Sequence, residues 1–98
     1  MSRMGWYNLS MYFVYMIMNL NGDLYIGITK NPDERVDFHN KKQGANFTKN
    51  RPKFKVVFLE TYENLKEARR REIQIKKWRR DKKEYLINLY RQGLDTKR

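Results

Sequence analysis

The 98-residue sequence contains no cysteine and a single histidine, His39. Without thiols there can be no disulfide scaffold, no thiolate zinc site and no cysteine nucleophile, and one imidazole cannot build a multi-histidine metal centre. Serine is confined to Ser2 and Ser10, which leaves a Ser-His-Asp arrangement without a well-placed nucleophile. The five glycines stand apart, so no glycine-rich phosphate loop is present. The eleven acidic residues are scattered with no DxD-type pairing, which argues against a two-metal site built on several bridging carboxylates. A metal ion here would rest on one protein carboxylate, with water and phosphate completing its shell. Long apolar runs are missing too. Nothing approaches the roughly 18 residues of a membrane-spanning helix, and Met1 to Ser10 holds no apolar segment of signal-peptide length. A soluble, cytoplasmic protein is expected.

What the chain has in excess is positive charge. Lys and Arg outnumber Asp and Glu by 22 to 11, a formal charge of +11, and a polyanion is the natural partner for so small a basic surface. No basic helix carries the wide apolar face that would lay it on an anionic membrane, so nucleic acid is preferred. With 40% hydrophobic and 14% aromatic residues, the chain is globular and long enough for one core. One domain is expected over residues 11–92, after an N-terminal extension of residues 1–10 and before a polar tail of residues 93–98.

Tyr12 to Met18 is a continuous apolar and aromatic run, followed by Asn19-Leu20-Asn21-Gly22 and a second run from Leu24 to Thr29, a hairpin pattern. A two-residue Asn21-Gly22 turn would mix polar and apolar residues on each face. A three-residue loop, Leu20-Asn21-Gly22, with Gly22 left-handed, sorts them. Tyr12, Val14, Met16, Met18, Leu24, Ile26 and Ile28 then form a core face, and Tyr15 lies opposite Gly27 on the other face with Tyr25 diagonal to it. Asn31-Pro32-Asp33-Glu34 starts a helix expected to run to about Lys42, with Arg35 and His39 on one side. A basic loop leads to Pro52. Phe54 to Tyr62 reads as a third strand, with Val57 and Leu59 on one face and Phe54, Val56 and Phe58 on the other. Asn64 caps a helix from Leu65 to about Arg80, and Asp81 with Glu84 marks a last helix ending near Gln92.

At 100° per residue, Leu65, Ala68, Glu72 and Ile75 share the stripe of the long helix that should face the sheet. A buried carboxylate there requires a partner. Pairing with Arg35 or a neighbouring Arg is one reading, and ligation of a metal is the other. Tyr15 and Tyr25 stand out from the remaining aromatics, most of which are core, because their hydroxyls need partners on a face that carries Gly27 and Thr29.

These residues resemble the GIY-YIG nuclease superfamily, and in particular its small stand-alone members. Phe13-Val14-Tyr15 stands where GIY is found, and Tyr25-Ile26-Gly27 is a literal YIG. Asp33 to Asn40 is similar to an ERR...HN segment, and Gly44-Ala45-Asn46-Phe47-Thr48 is similar to a GA-x-Y-T loop. Ala68 to Trp78 is similar to a REKQIKKW helix whose glutamate falls at Glu72. The match spans residues 12 to about 88. The chain departs from the pattern at Phe13 and Val14, which replace Gly and Ile, and at Phe47, which replaces Tyr. Ile28 also stands where the excision-repair nuclease C subunit, whose catalytic domain is otherwise similar, carries Lys.

The resemblance implies an α+β fold, a three-stranded antiparallel sheet flanked by helices. It also implies a metal-dependent endonuclease acting on DNA more readily than RNA, in repair or processing, as a monomer or weak dimer. Tyr15 or Tyr25 would take the proton of an attacking water, one phenol having a depressed pKa. Glu72 would hold a single Mg²⁺ or Mn²⁺ ion, Arg35 would stabilise phosphoryl charge, and His39 would orient a tyrosine or shuttle a proton. Lys41, Lys42, Lys49, Arg51 and Lys53 would follow the strand backbone. The rival reading keeps the fold and the charge but not the chemistry, giving a non-catalytic DNA- or RNA-binding module.

Overall fold

A computed structural model describes residues 11–44 and 53–97. Among them the chain runs β1 (Tyr12–Met18), β2 (Leu24–Thr29), α1 (Pro32–Gly44), β3 (Lys55–Tyr62), α2 (Leu65–Lys77) and α3 (Arg80–Arg91). The three strands form one antiparallel sheet in the order β2-β1-β3, the expected α+β architecture. The N-terminal extension, residues 1–10, lies outside the described residues, as does the loop 45–52.

The hairpin has the register that the sorting of side chains requires. Met18 pairs with Leu24, Met16 with Ile26 and Tyr15 with Gly27. Its loop closes through the Gly22 N–H donating to the Asn19 carbonyl at 3.0 Å, and Gly22 takes a φ of 88°, which a side chain would strain. The buried Asn19 fixes the turn further, its Oδ1 accepting from the Asp23 N–H at 2.9 Å. Arg80 Nη2 donates to the Gly22 carbonyl at 2.7 Å and ties the turn to the start of α3.

The two faces of the sheet differ. Val14, Met16, Ile26 and Phe58 pack under α2 and α3 against Ala68, Ile75, Leu86, Ile87 and Leu89. On the opposite face, under α1, lies a smaller cluster of Tyr15, Ile17 and Phe54, flanked by Val36, Val56 and Leu59. The third strand departs from the expected alternation. Met16 pairs with Phe58 but Ile17 pairs with Val56, so Val57 is an inserted bulge residue. The parity beyond it is reversed. Phe58 and Glu60 join the α2/α3 side, and Leu59 joins the α1 side.

Helix ends follow local chemistry in two of three cases. Asn31 Oδ1 accepts from the Glu34 N–H at 3.1 Å, with Pro32 in the first turn, and Asn64 Oδ1 accepts from the Glu67 N–H at 2.8 Å. α1 runs to Gly44, two residues beyond its expected end. α2 stops at Lys77 instead of Arg80, because the Trp78 backbone turns extended (ψ 156°) and the indole packs against the core. α3 then begins at Arg80 with no side-chain cap, and Asp81, expected to cap it, lies in its first turn and accepts from the Lys82 N–H. The polar tail folds back onto β3: the Thr96 hydroxyl donates to Glu60 Oε2 at 2.6 Å and Lys97 Nζ to the Thr61 carbonyl at 2.6 Å.

Candidate active site

β2 is an edge strand, and at its middle stands Gly27 with no side chain. A Cβ built there would lie 2.6 Å from Tyr15 Oη and 2.8 Å from Cζ. The phenol of Tyr15 therefore lies directly across β2, over the one position on that strand that leaves room for it. Tyr15 is 2% exposed overall and lines a cleft of about 390 Å³ at the sheet edge. Tyr25, on the same face and half exposed, lines that cleft with Arg35 from α1 and Glu72 from α2. Four of the five predicted catalytic residues thus border one cavity.

The fifth, His39, stands behind the phenols. It is buried, with Nε2 3.4 Å from Tyr15 Oη and its ring 4.3 Å, centre to centre, from that of Tyr25. α1 is held in place for this contact by Asn40, which the sequence marks only as the end of the Asp33 to Asn40 segment. Its Oδ1 accepts from the Phe54 N–H at 2.7 Å and its Nδ2 donates to the Phe54 carbonyl at 3.2 Å. The side-chain amide thus acts as a strand partner for the backbone entering β3.

Glu72 is 7% exposed and occupies the sheet-facing stripe of α2, as its spacing requires. Lys76 Nζ is 3.1 Å from Oε2 and Arg69 Nη1 is 3.6 Å from Oε1. A neighbouring Arg is thus a partner, as one reading held, but the shorter contact is to Lys76. Among the described ion pairs Arg35 takes no part. No group of three or more His, Cys, Asp or Glu side chains converges among the described residues. The donor set is one carboxylate in a cleft. That fits an open Mg²⁺-type site completed by water and substrate phosphate, and it does not fit an all-protein cage.

Burial pushes the Tyr15 phenol above its ordinary value. The hydrogen bonding and charge of Arg35 oppose that shift, and the nearby Tyr25 and Glu72 reinforce it. The expectation that one phenol is depressed is not met at Tyr15, where burial outweighs the pull of Arg35.

Among the described residues the cleft is lined by four cations, Lys30, Arg35, Arg69 and Lys76, against the single acid Glu72. Three of them were missed in the sequence. Arg69 and Lys76 could have been found as the residues one turn either side of Glu72. Lys30 carries no such signal. Of the strand-following residues expected, Lys41 and Lys53 are exposed and do not line the cleft. Lys49 and Arg51 lie outside the described residues, as does the side chain of Lys42.

Two phenols, a guanidinium and a carboxylate grouped around a glycine at a sheet edge define the class. The family model of the GIY-YIG catalytic domain matches residues 11–91, and the chain belongs to the GIY-YIG family. The more particular likeness is to UPF0213 proteins. The UPF0213 proteins of Staphylococcus aureus strains Mu3 and N315 are each 43% identical over 76 residues, covering 78% of this chain and 93% of theirs. The solution NMR structure of the UPF0213 protein BH0048 from Bacillus halodurans superposes with a TM-score of 0.53 at 33% identity, covering 81% of this chain and 84% of that one.

Proposed function

We propose that this protein is a metal-dependent endonuclease that hydrolyses phosphodiester bonds in nucleic acid, DNA ahead of RNA, in repair or processing. The observation that carries this reading is the passage of the Tyr15 phenol across Gly27 into a cationic cleft that Tyr25, Arg35 and Glu72 share. A structural tyrosine on this face needs no such opening, whereas a phenol that must reach a phosphate does.

In this reading Arg35 and Lys30 bind the phosphate, and Arg35 stabilises charge building on its oxygens. Lys41, Lys42, Lys49, Arg51 and Lys53 hold the strand backbone. Tyr15, which holds its proton, acts as a base by relay: its oxygen takes a proton from the attacking water as its own passes to His39 Nε2, 3.4 Å away. The relay requires neutral His39 with Nε2 unprotonated. Glu72 would hold Mg²⁺ or Mn²⁺, which when bound polarises the phosphate and favours departure of the leaving oxygen.

One observation favours the rival binding module: Glu72 is already neutralised by Lys76 and Arg69. Incubation with plasmid, flap, junction and single-stranded DNA and with RNA, in Mg²⁺, Mn²⁺ or EDTA, separates the two. Metal-dependent cleavage that Glu72→Ala abolishes while binding persists supports the enzyme. Tight binding without cleavage of any substrate supports the module.

A further inference from the structure

Within the cleft the carboxylate of Glu72 is buried, and its counter-ions reach it from exposed side chains. The Glu72 side chain is 10% exposed, whereas those of Lys76 and Arg69 are 53% and 57% exposed. Both oxygens of the acid face a cation, the closer being the Lys76 ammonium at 3.1 Å. This is the one carboxylate that lines the cleft among the described residues. A divalent cation entering the cleft therefore meets a ligand that is already occupied.

We infer that Lys76 is an exchangeable counter-ion for Glu72. In the free protein its ammonium occupies the carboxylate. A divalent cation has to displace it, and the displaced ammonium stays in the cleft, where a substrate phosphate lies within its sweep. The inference rests on the metal-holding role proposed for Glu72. The plainer account of the same contact is a helix-supporting pair, since Glu four residues before Lys stabilises any exposed helix. Two features separate this pair from that account. The acid sits on the buried, sheet-facing stripe of α2 and not on its solvent face, and Lys76 lines the same cavity as Tyr15 and Arg35. Lysine suits the role, because its ammonium is a compact, strongly hydrated charge on a flexible four-carbon stem that can leave without dismantling a bidentate fork.

The test is a titration of the full chain with Mn²⁺, free ion being read by electron paramagnetic resonance, with no nucleic acid present. Lys76→Met is expected to tighten Mn²⁺ binding roughly two- to fivefold, the effect of removing a half-exposed competing cation. Lys76→Arg should bind Mn²⁺ no more tightly than the wild type. Lys77→Met removes the same charge one residue away, outside the cleft lining, and should stay near the wild-type value. Glu72→Gln should eliminate the site in both the wild-type and Lys76→Met backgrounds.

If wild-type binding depends on Glu72 but Lys76→Met leaves it unchanged or weaker, the exchange is overturned and the metal role of Glu72 stands. Equal tightening by Lys76→Met and Lys77→Met also overturns it, reducing the effect to net charge. Binding indifferent to Glu72→Gln, or absent from every variant, overturns the metal role and the exchange together. Thermal melts confirm folding of each variant, and Lys76→Gln serves as a second neutral replacement.

Discussion

Arg71 and Glu72 are neighbours on α2 and equally buried, each 7% exposed, yet they sit in opposite kinds of environment. Arg71 is saturated. Its Nε and Nη2 donate to the two oxygens of Glu60 at 2.9 and 3.0 Å, Nη1 donates to Gln74, and Nη2 also donates to the Thr96 carbonyl. Glu60 is saturated in turn by the hydroxyls of Tyr62 and Thr96. Among the described ion pairs the Glu72 carboxylate meets only the charged ends of two exposed side chains, and it lines a cavity. The difference teaches that burial of a charge does not mark function. A closed network in which every donor meets an acceptor holds the fold together, whereas a buried charge left accessible on one side is available to a ligand.

The comparison breaks most directly at its closed end. Arg71→Met strands the Glu60 carboxylate, itself 4% exposed, and should cost about 3–5 kcal/mol in urea unfolding. Arg71→Met with Glu60→Leu should cost less than the sum of the two single changes, because no charge is then left without its partner. A loss below about 1 kcal/mol in the single variant would show that the cluster does not carry the fold.

Gly27→Ala tests the open end by geometry. Its methyl group would meet Tyr15 Oη at 2.6 Å, so the ring must leave its seat between β2 and α1. Overpacking of this kind costs about 1–3 kcal/mol. Cross-relaxation in NMR spectra should show the Tyr15 ring separated from His39, and cleavage should be lost. A tyrosine that keeps its position beside His39 would refute the steric account of the glycine. Glu72→Gln is expected to be much milder for the fold, within about 1 kcal/mol of wild type, since its partners are half in solvent. The same variant should abolish cleavage. Unfolding on the scale of Arg71→Met would place Glu72 with the structural charges instead.

Much of this was legible in the sequence, and the parts that were not share a cause. The hairpin register followed from sorting polar and apolar residues around Gly22, and the starts of α1 and α2 from Asn31 and Asn64, because each depends on residues a few positions apart. Glu72 was found because one acid on a 3.6-residue stripe is a local anomaly. Arg71 belongs to the same stripe, at the i+3 position from Ala68, and was overlooked because its partner Glu60 was assigned no face. That face depended on the bulge at Val57, which is set by pairing with β1 and leaves no mark in the alternation. The end of α2 at Lys77 comes from burial of Trp78 against elements distant in sequence. The upward shift of Tyr15 likewise comes from packing under α1, which no spacing rule reports.

The finest contrast lies between two phenols, one in each region, Tyr15 buried and Tyr62 half-buried. Tyr62, bonded to Glu60, is pushed up by burial and by that carboxylate as hydrogen-bond acceptor and negative charge. Tyr15 is pushed up by burial but pulled back by Arg35. A phenol whose folded pKa lies above its unfolded value adds stability that is complete below pH 10.0 and is lost as the pH rises through the folded value, because the unfolded chain releases the proton first. Urea midpoints should therefore fall on the alkaline side, and Tyr62→Phe and Tyr15→Phe should each flatten part of that fall. Arg35→Ala should move Tyr15 further up without touching Tyr62, a shift readable from the ¹³Cζ resonances of the two tyrosines. If the Tyr15 resonance titrated below neutral pH in the wild type, the cleft would already hold a phenolate. A relay through His39 would then be unnecessary, and the pull of Arg35 would outweigh burial at the one place where the two oppose each other.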